Sequence, residues 1–96
     1  METTRERIAR LLRGRPMSPS ELAAEVESTP ATVVRDVRHV ARSLRGTGEE
    51  LVVAPPRCRE CGFDGFDDPA NVPSRCPECR GERIDEPRFA VREEAT

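Results

Sequence analysis

Four cysteines dominate the chemistry available to this chain. They fall in two pairs, Cys58-Arg59-Glu60-Cys61 and Cys76-Pro77-Glu78-Cys79, separated by 14 residues. Two thiolates at C-x2-C spacing can grip one ion from a single tight turn, with backbone amides pointing at the sulfurs. A second pair completes a tetrahedron, which suits Zn2+ with Zn–S near ~2.3 Å. The separation is one residue below the usual ~15–20 window. Gly62 and Gly81, just beyond each pair, are expected to supply the permissive backbone of such turns. Cys58, Cys61, Cys76 and Cys79 are therefore the expected ligands of one structural Zn2+ per chain. Sulfur at all four positions leaves none open for water or substrate, which argues against catalytic zinc.

Two other readings of the cysteines compete. A pair of disulfides wants an oxidising compartment, of which the chain carries no sign. A redox-active dithiol wants a surrounding βαβ pattern, which is missing. The Cys76-Pro77-Glu78-Cys79 element also resembles one knuckle of rubredoxin, an iron electron carrier. Rubredoxins have a much longer insert between their pairs and an aromatic core, so zinc is favoured over iron here. Roughly 25 residues of ribbon cannot build a core, so metal binding is expected to supply the folding free energy there.

The elements that must position this segment lie on both sides of it. Thr3 and Glu6 have capping-box spacing ahead of Ile8, Leu11 and Leu12, predicting a helix over about 4–13 that Gly14 and Pro16 stop. Ser18, Pro19 and Glu21 start a second helix over 19–27, with Met17 and Leu22 at the positions of a hydrophobic staple. Ser28-Thr29-Pro30 repeats the signal for a third helix over 30–45, closed by Gly46. Leu51 to Ala54 reads as a strand ended by Pro55-Pro56, and Phe89 and Val91 alternate with polar neighbours in a returning strand. The two strands are expected to pair as an antiparallel hairpin with the cysteine segment at its tip. The domains follow: 1–56, the ribbon at 57–81, and 82–96 with the returning strand and tail.

Two capped helices joined by a short turn, after a first helix, have the order of a helix-turn-helix unit whose last helix enters the major groove. On the third helix Val33, Val37, Val40, Ala41 and Leu44 gather on one side, while Arg35, Arg38, Arg42 and Arg45 form a stripe on another. Thr32, Arg35, Arg38, His39, Arg42 and Arg45 are the candidate DNA contacts, Arg35 and Arg38 nearest the bases and Arg42 and Arg45 on phosphate. All 16 cationic side chains are Arg, yet the chain carries a net −2 and a pI near 5.5. A domain that binds nucleic acid is usually basic overall, so the role must rest on a local patch. Residues 30–45 hold four Arg against one Asp, and residues 57–96 hold seven Arg against ten acids. The acidic ribbon is accordingly expected to face away from DNA, open to a protein partner.

Three helices followed by a hairpin is the order of a winged helix domain. With the four-Cys ribbon, the layout resembles the archaeal predicted transcriptional regulators that join a winged helix-turn-helix to a rubredoxin-like zinc ribbon. The similarity spans about residues 5–92 and rests most on Cys58-Arg59-Glu60-Cys61-Gly62-Phe63, Arg75-Cys76-Pro77-Glu78-Cys79 and Ile84 through Val91. The resemblance implies an α+β fold: a three-helix winged helix-turn-helix whose β-hairpin wing carries the ribbon. It also implies a DNA-binding regulatory role.

A transcriptional regulator bound to double-stranded DNA is thus the expected function, with a homodimer on two half-sites as one form. A protein-interaction adaptor of the transcription or translation machinery, without DNA contact, is the alternative. An enzyme is not expected: no Cys is left as nucleophile, there is one His, and no phosphate-binding glycine loop occurs. Three Phe with no Trp or Tyr leave too few large side chains to line a cavity for a sizeable organic cofactor. No apolar run approaches the ~18 residues of a membrane span, and no signal-peptide pattern opens the chain, so a cytoplasmic location without membrane contact is expected.

Overall fold

The computed structural model describes residues 1–68, 70 and 72–95. Three helices pack together and are followed by a two-stranded antiparallel sheet, in the order α1 (Thr4–Gly14), α2 (Pro19–Val26), α3 (Pro30–Ser43), β1 (Glu49–Ala54) and β2 (Arg88–Glu93).

Each helix begins where its side chains satisfy the free amides of its first turn. Thr3 and Glu6 form a reciprocal capping box, both hydrogen bonds at 3.1 Å. Ser18 and Glu21 do the same at α2, at 3.1 and 3.2 Å. At α3 the Thr29 hydroxyl accepts from the Thr32 N–H, and Pro30 occupies the first position. The apolar faces then meet: Ile8, Ala9 and Leu12 of α1, Leu22 and Ala23 of α2, and Val33, Val37 and Val40 of α3 are buried together with Leu44, Met17, Phe89 and Val91.

The ends differ slightly from the pattern of apolar spacing. α2 stops at Val26 because Glu27 turns into the left-handed region at φ 53°, and the Ser28 N–H reaches back to the Ala23 carbonyl. α3 stops at Ser43, two residues before the expected end. Leu44 is its cap, and the Arg45 N–H bonds the Arg42 carbonyl in a tightened turn leading to Gly46 and Gly48 at φ 78° and 88°. α1 runs one residue further than expected, and β1 starts two residues earlier because Glu49 and Glu50 pair with Glu93 and Arg92.

In the sheet, Leu51 stands opposite Val91 and Val53 opposite Phe89. The inward side chains of β2, Phe89 and Val91, close the helical core from one side. On the far edge of β2 the link between α1 and α2 adds a single bridge, Met17 to Phe89. Beyond Ala54 and Arg88 the ladder is interrupted by Pro55, Pro56 and Pro87, which have no N–H to donate. It resumes at a bridge between Cys58 and Ile84, supported by the Asp85 N–H on the Arg57 carbonyl at 2.9 Å. That bridge keeps the β1–β2 register, with no residue gained or lost on either side. Returning strand pairing is regular only from Arg88; Ile84 contributes the isolated bridge.

Candidate metal centre

The two C-x2-C segments fold into matching turns. In the first, the Gly62 N–H bonds the Cys58 carbonyl at 2.9 Å and the Cys58 N–H bonds the Phe63 carbonyl at 2.8 Å. In the second, the Arg80 N–H bonds the Cys76 carbonyl and the Cys76 N–H bonds the Gly81 carbonyl, both at 2.8 Å. The equivalent positions Gly62 and Arg80 both take positive φ, 79° and 62°. The expectation that Gly81 supplies backbone freedom is therefore corrected: Arg80 carries that strain in the second turn. Gly81 serves by its lack of a side chain. A Cβ there would sit 3.2 Å from Cys79 Sγ and overlap the Glu60 carboxylate.

The turns bring all four sulfurs within 4.8 Å of one another. Cys58 Sγ lies 3.6 Å from Cys79 Sγ, and Cys61 Sγ lies 3.6 Å from Cys76 Sγ. Four sulfurs on a zinc ion would be about 3.8 Å apart along each tetrahedral edge, given the usual Zn–S length. The four thiols are free rather than joined in disulfides. The first Cys of each turn is buried and the second is exposed, so the site has an inner and an outer pair. The residues fit one structural Zn2+, held by Cys58, Cys61, Cys76 and Cys79.

The electrostatics prepare the site for a cation. The backbone N–H of Cys61, with that of Glu60, favours the Cys58 thiolate and brings its pKa down to about 7 against the opposing cost of burial. At Cys79 the Gly81 N–H also favours the thiolate, but burial and the three neighbouring sulfurs push the pKa up to about 12. Cys61 is likewise raised: the Phe63 N–H is outweighed by burial and by Cys76 and Cys58. Without a cation the cluster cannot hold four negative charges at neutral pH.

The arginine face of α3 is only partly as expected. Arg35 and Arg42 are exposed and have no acidic partner among the described residues. Arg38 donates instead to Asp68 of the ribbon. Arg45, exposed and also without an acidic partner among the described residues, lies beyond the helix end. Thr32 is drawn into the helix start, its hydroxyl accepting from Thr29 Oγ1 at 3.0 Å. His39 is half-buried, and its carbonyl accepts from Ser43. Asp36, one residue after Arg35, pairs with Arg5 of α1 at 3.4 Å. The acidic ribbon reaches the arginine face at one point, where Asp68 accepts from Arg38. Residues 62–75 show no periodicity, so nothing local signalled this contact.

A helical unit carrying a rubredoxin-like zinc ribbon at the tip of a hairpin is the class of protein these features define. Residues 3–52 match the family model described as PF0610-like, N-terminal. Residues 55–94 match the PF0610 rubredoxin-like zinc beta-ribbon domain. The chain belongs to this PF0610-like family. It is similar to protein PF0610 from Pyrococcus furiosus, whose solution NMR structure superposes with a TM-score of 0.82 at 36% identity, over 95% of this chain and 90% of that one. No match was found among curated proteins. Among the described residues, no helix is long and apolar enough to cross a membrane.

Proposed function

We propose that the chain is a DNA-binding transcriptional regulator of the winged helix-turn-helix type. In this reading α3 enters the major groove, β1 and β2 form the wing, and the zinc holds the ribbon without taking part in chemistry. The observation that carries it is the set Arg35, Arg42 and Arg45 on or just after α3, exposed and without acidic partners among the described residues. Of the other thirteen arginines, nine have carboxylates within 4.0 Å among the described residues, and the four that do not, Arg7, Arg57, Arg80 and Arg83, lie off α3. Free guanidinium forks at Arg35 and Arg42 on one face of α3, and at Arg45 just past its end, suit phosphate oxygens and guanine edges. The α1–α2 and α2–α3 packing leaves that face outward, and the turn at Glu27 is short, as the motif requires.

Fluorescence anisotropy against random duplex at several salt concentrations tests the reading. Affinity that falls steeply as salt rises supports it, because each neutralised phosphate releases counterions. Absence of binding even at low salt favours the second reading, a protein-interaction adaptor, to which the acidic residues Asp64, Asp67 and Asp68 on the ribbon lend themselves.

A further inference from the structure

We infer that the ribbon loop carrying Asp68 is an intramolecular latch on α3, its carboxylate engaging the Arg38 guanidinium in the place a base edge would take. The inference rests on the DNA-binding reading above and adds a means of regulation to it.

Three observations converge on this loop. The Asp68 carboxylate accepts from the Arg38 guanidinium through one oxygen and from the Ala70 N–H through the other, at 3.1 Å for the latter. Its own loop therefore fixes it and aims it at the helix. Ala70 packs against the hydrophobic core, which anchors the loop next to α3. Ala70 and Val72 face Ala31, Val34, Arg35 and Arg38 across a cleft of 460 Å³. The cleft lies along the first half of α3, the half that faces base edges when such a helix is docked.

A major groove about 12 Å wide admits one helix and has no room for a second chain segment along its reading face. The loop must therefore leave α3 before the helix can seat. Its hold is suited to release. Arg38 and Asp68 remain 48% and 46% exposed, and an exposed pair of this kind shifts an equilibrium by at most about fivefold. A guanine edge offers Arg38 two acceptors, O6 and N7, in exchange for the carboxylate it displaces.

The test compares zinc-loaded variants for binding to random duplex at low salt. Asp68→Asn should bind about two- to fivefold more tightly than the parent chain, with the gain shrinking as salt screens the pair. Asp64→Asn makes the same change of charge on the ribbon without touching Arg38, and its gain should be clearly smaller. In an Arg38→Ala background the gain from Asp68→Asn should vanish, as a double-mutant cycle requires of two coupled groups. Equal gains from the two aspartate variants, or a gain that persists without Arg38, would overturn the latch. So would unchanged affinity of Asp68→Asn where the parent chain binds. Absence of binding by both the parent and Asp68→Asn would overturn the DNA-binding reading and the latch together. Zinc at one ion per chain in every variant verifies that the ribbon is intact.

Discussion

Met17 and Phe89 exchange a pair of backbone hydrogen bonds, Met17 N–H to Phe89 carbonyl at 3.0 Å and Phe89 N–H to Met17 carbonyl at 2.8 Å. Both side chains are fully buried. This one antiparallel pair ties the link between α1 and α2 to the strand that returns from the ribbon. The N-terminal helices and the last strand are thereby joined in one core. Phe89→Ala should cost about 3–5 kcal/mol, since it removes a large fully buried side chain from this junction. Urea unfolding followed by far-UV circular dichroism checks it, the midpoint falling with little change in slope.

Cys76→Ser removes a buried ligand from the inner pair. Zinc content should drop from one ion per chain toward none while the helical far-UV signal is largely kept, because the helical core contains no ligand. Metal analysis by mass spectrometry after native purification reads the result. Zinc retained at unit stoichiometry would show the ligand assignment to be wrong.

The thiol pKa values fix the sign of the pH dependence of zinc binding. The ion binds thiolates, so in its absence protons held by the thiols compete with it. Cys58 loses its proton near pH 7, whereas Cys79 holds its own to about 12. Zinc affinity should therefore rise with pH through neutrality and beyond, and zinc uptake at pH 7 should release protons. Competition titrations with a chelator at several pH values, corrected for the chelator's own protonation, measure both.

Gly81→Ala places a methyl group 3.2 Å from Cys79 Sγ and against the Glu60 carboxylate. The carboxylate can swing away, but a sulfur bound to metal cannot. Zinc affinity should fall by at least about 10-fold, the scale of changes just outside a ligand set. Gly14→Ala, where a Cβ meets nothing within 4 Å, should leave zinc binding unaltered.

On the DNA-binding reading, Arg35→Ala should lower affinity for preferred sequences by about 1–3 kcal/mol and relax the preference. Arg45→Ala should weaken binding to all duplexes alike and flatten the salt slope by about one unit. Anisotropy titrations with specific and random duplexes separate the two.

Local chemistry made much of this architecture readable from the chain. The capping boxes at Thr3 and Ser18, Pro19 and Pro30 at helix starts, and the twin C-x2-C pairs each act within a few residues, so spacing alone reveals them. The alternation at Phe89 and Val91 likewise marked a strand with one buried face. The hidden features are those made by distant partners. Met17 has a single inward position between Pro16 and Ser18, too short to read as a strand, and only β2 gives it a bridge. Arg38 follows the same period as Arg35 and Arg42, and only the folded loop sets Asp68 against it. The left-handed turn at Arg80 was obscured by Gly81 next to it, since glycine is the residue that usually takes such a φ. The end of α3 moved because Leu44, counted on the apolar face, also serves as the helix cap.

The shared register on both sides of the three prolines has a consequence for how this molecule could have been assembled. A segment spliced into a hairpin with an odd slip would turn every side chain of one strand outward. Here Phe89 and Val91 keep their inward positions whatever lies past Pro55 and Pro87. The metal-bearing extension behaves as a cassette: cut at the prolines and replaced by a tight Asn-Gly turn, it would leave behind a bare hairpin already facing the right way.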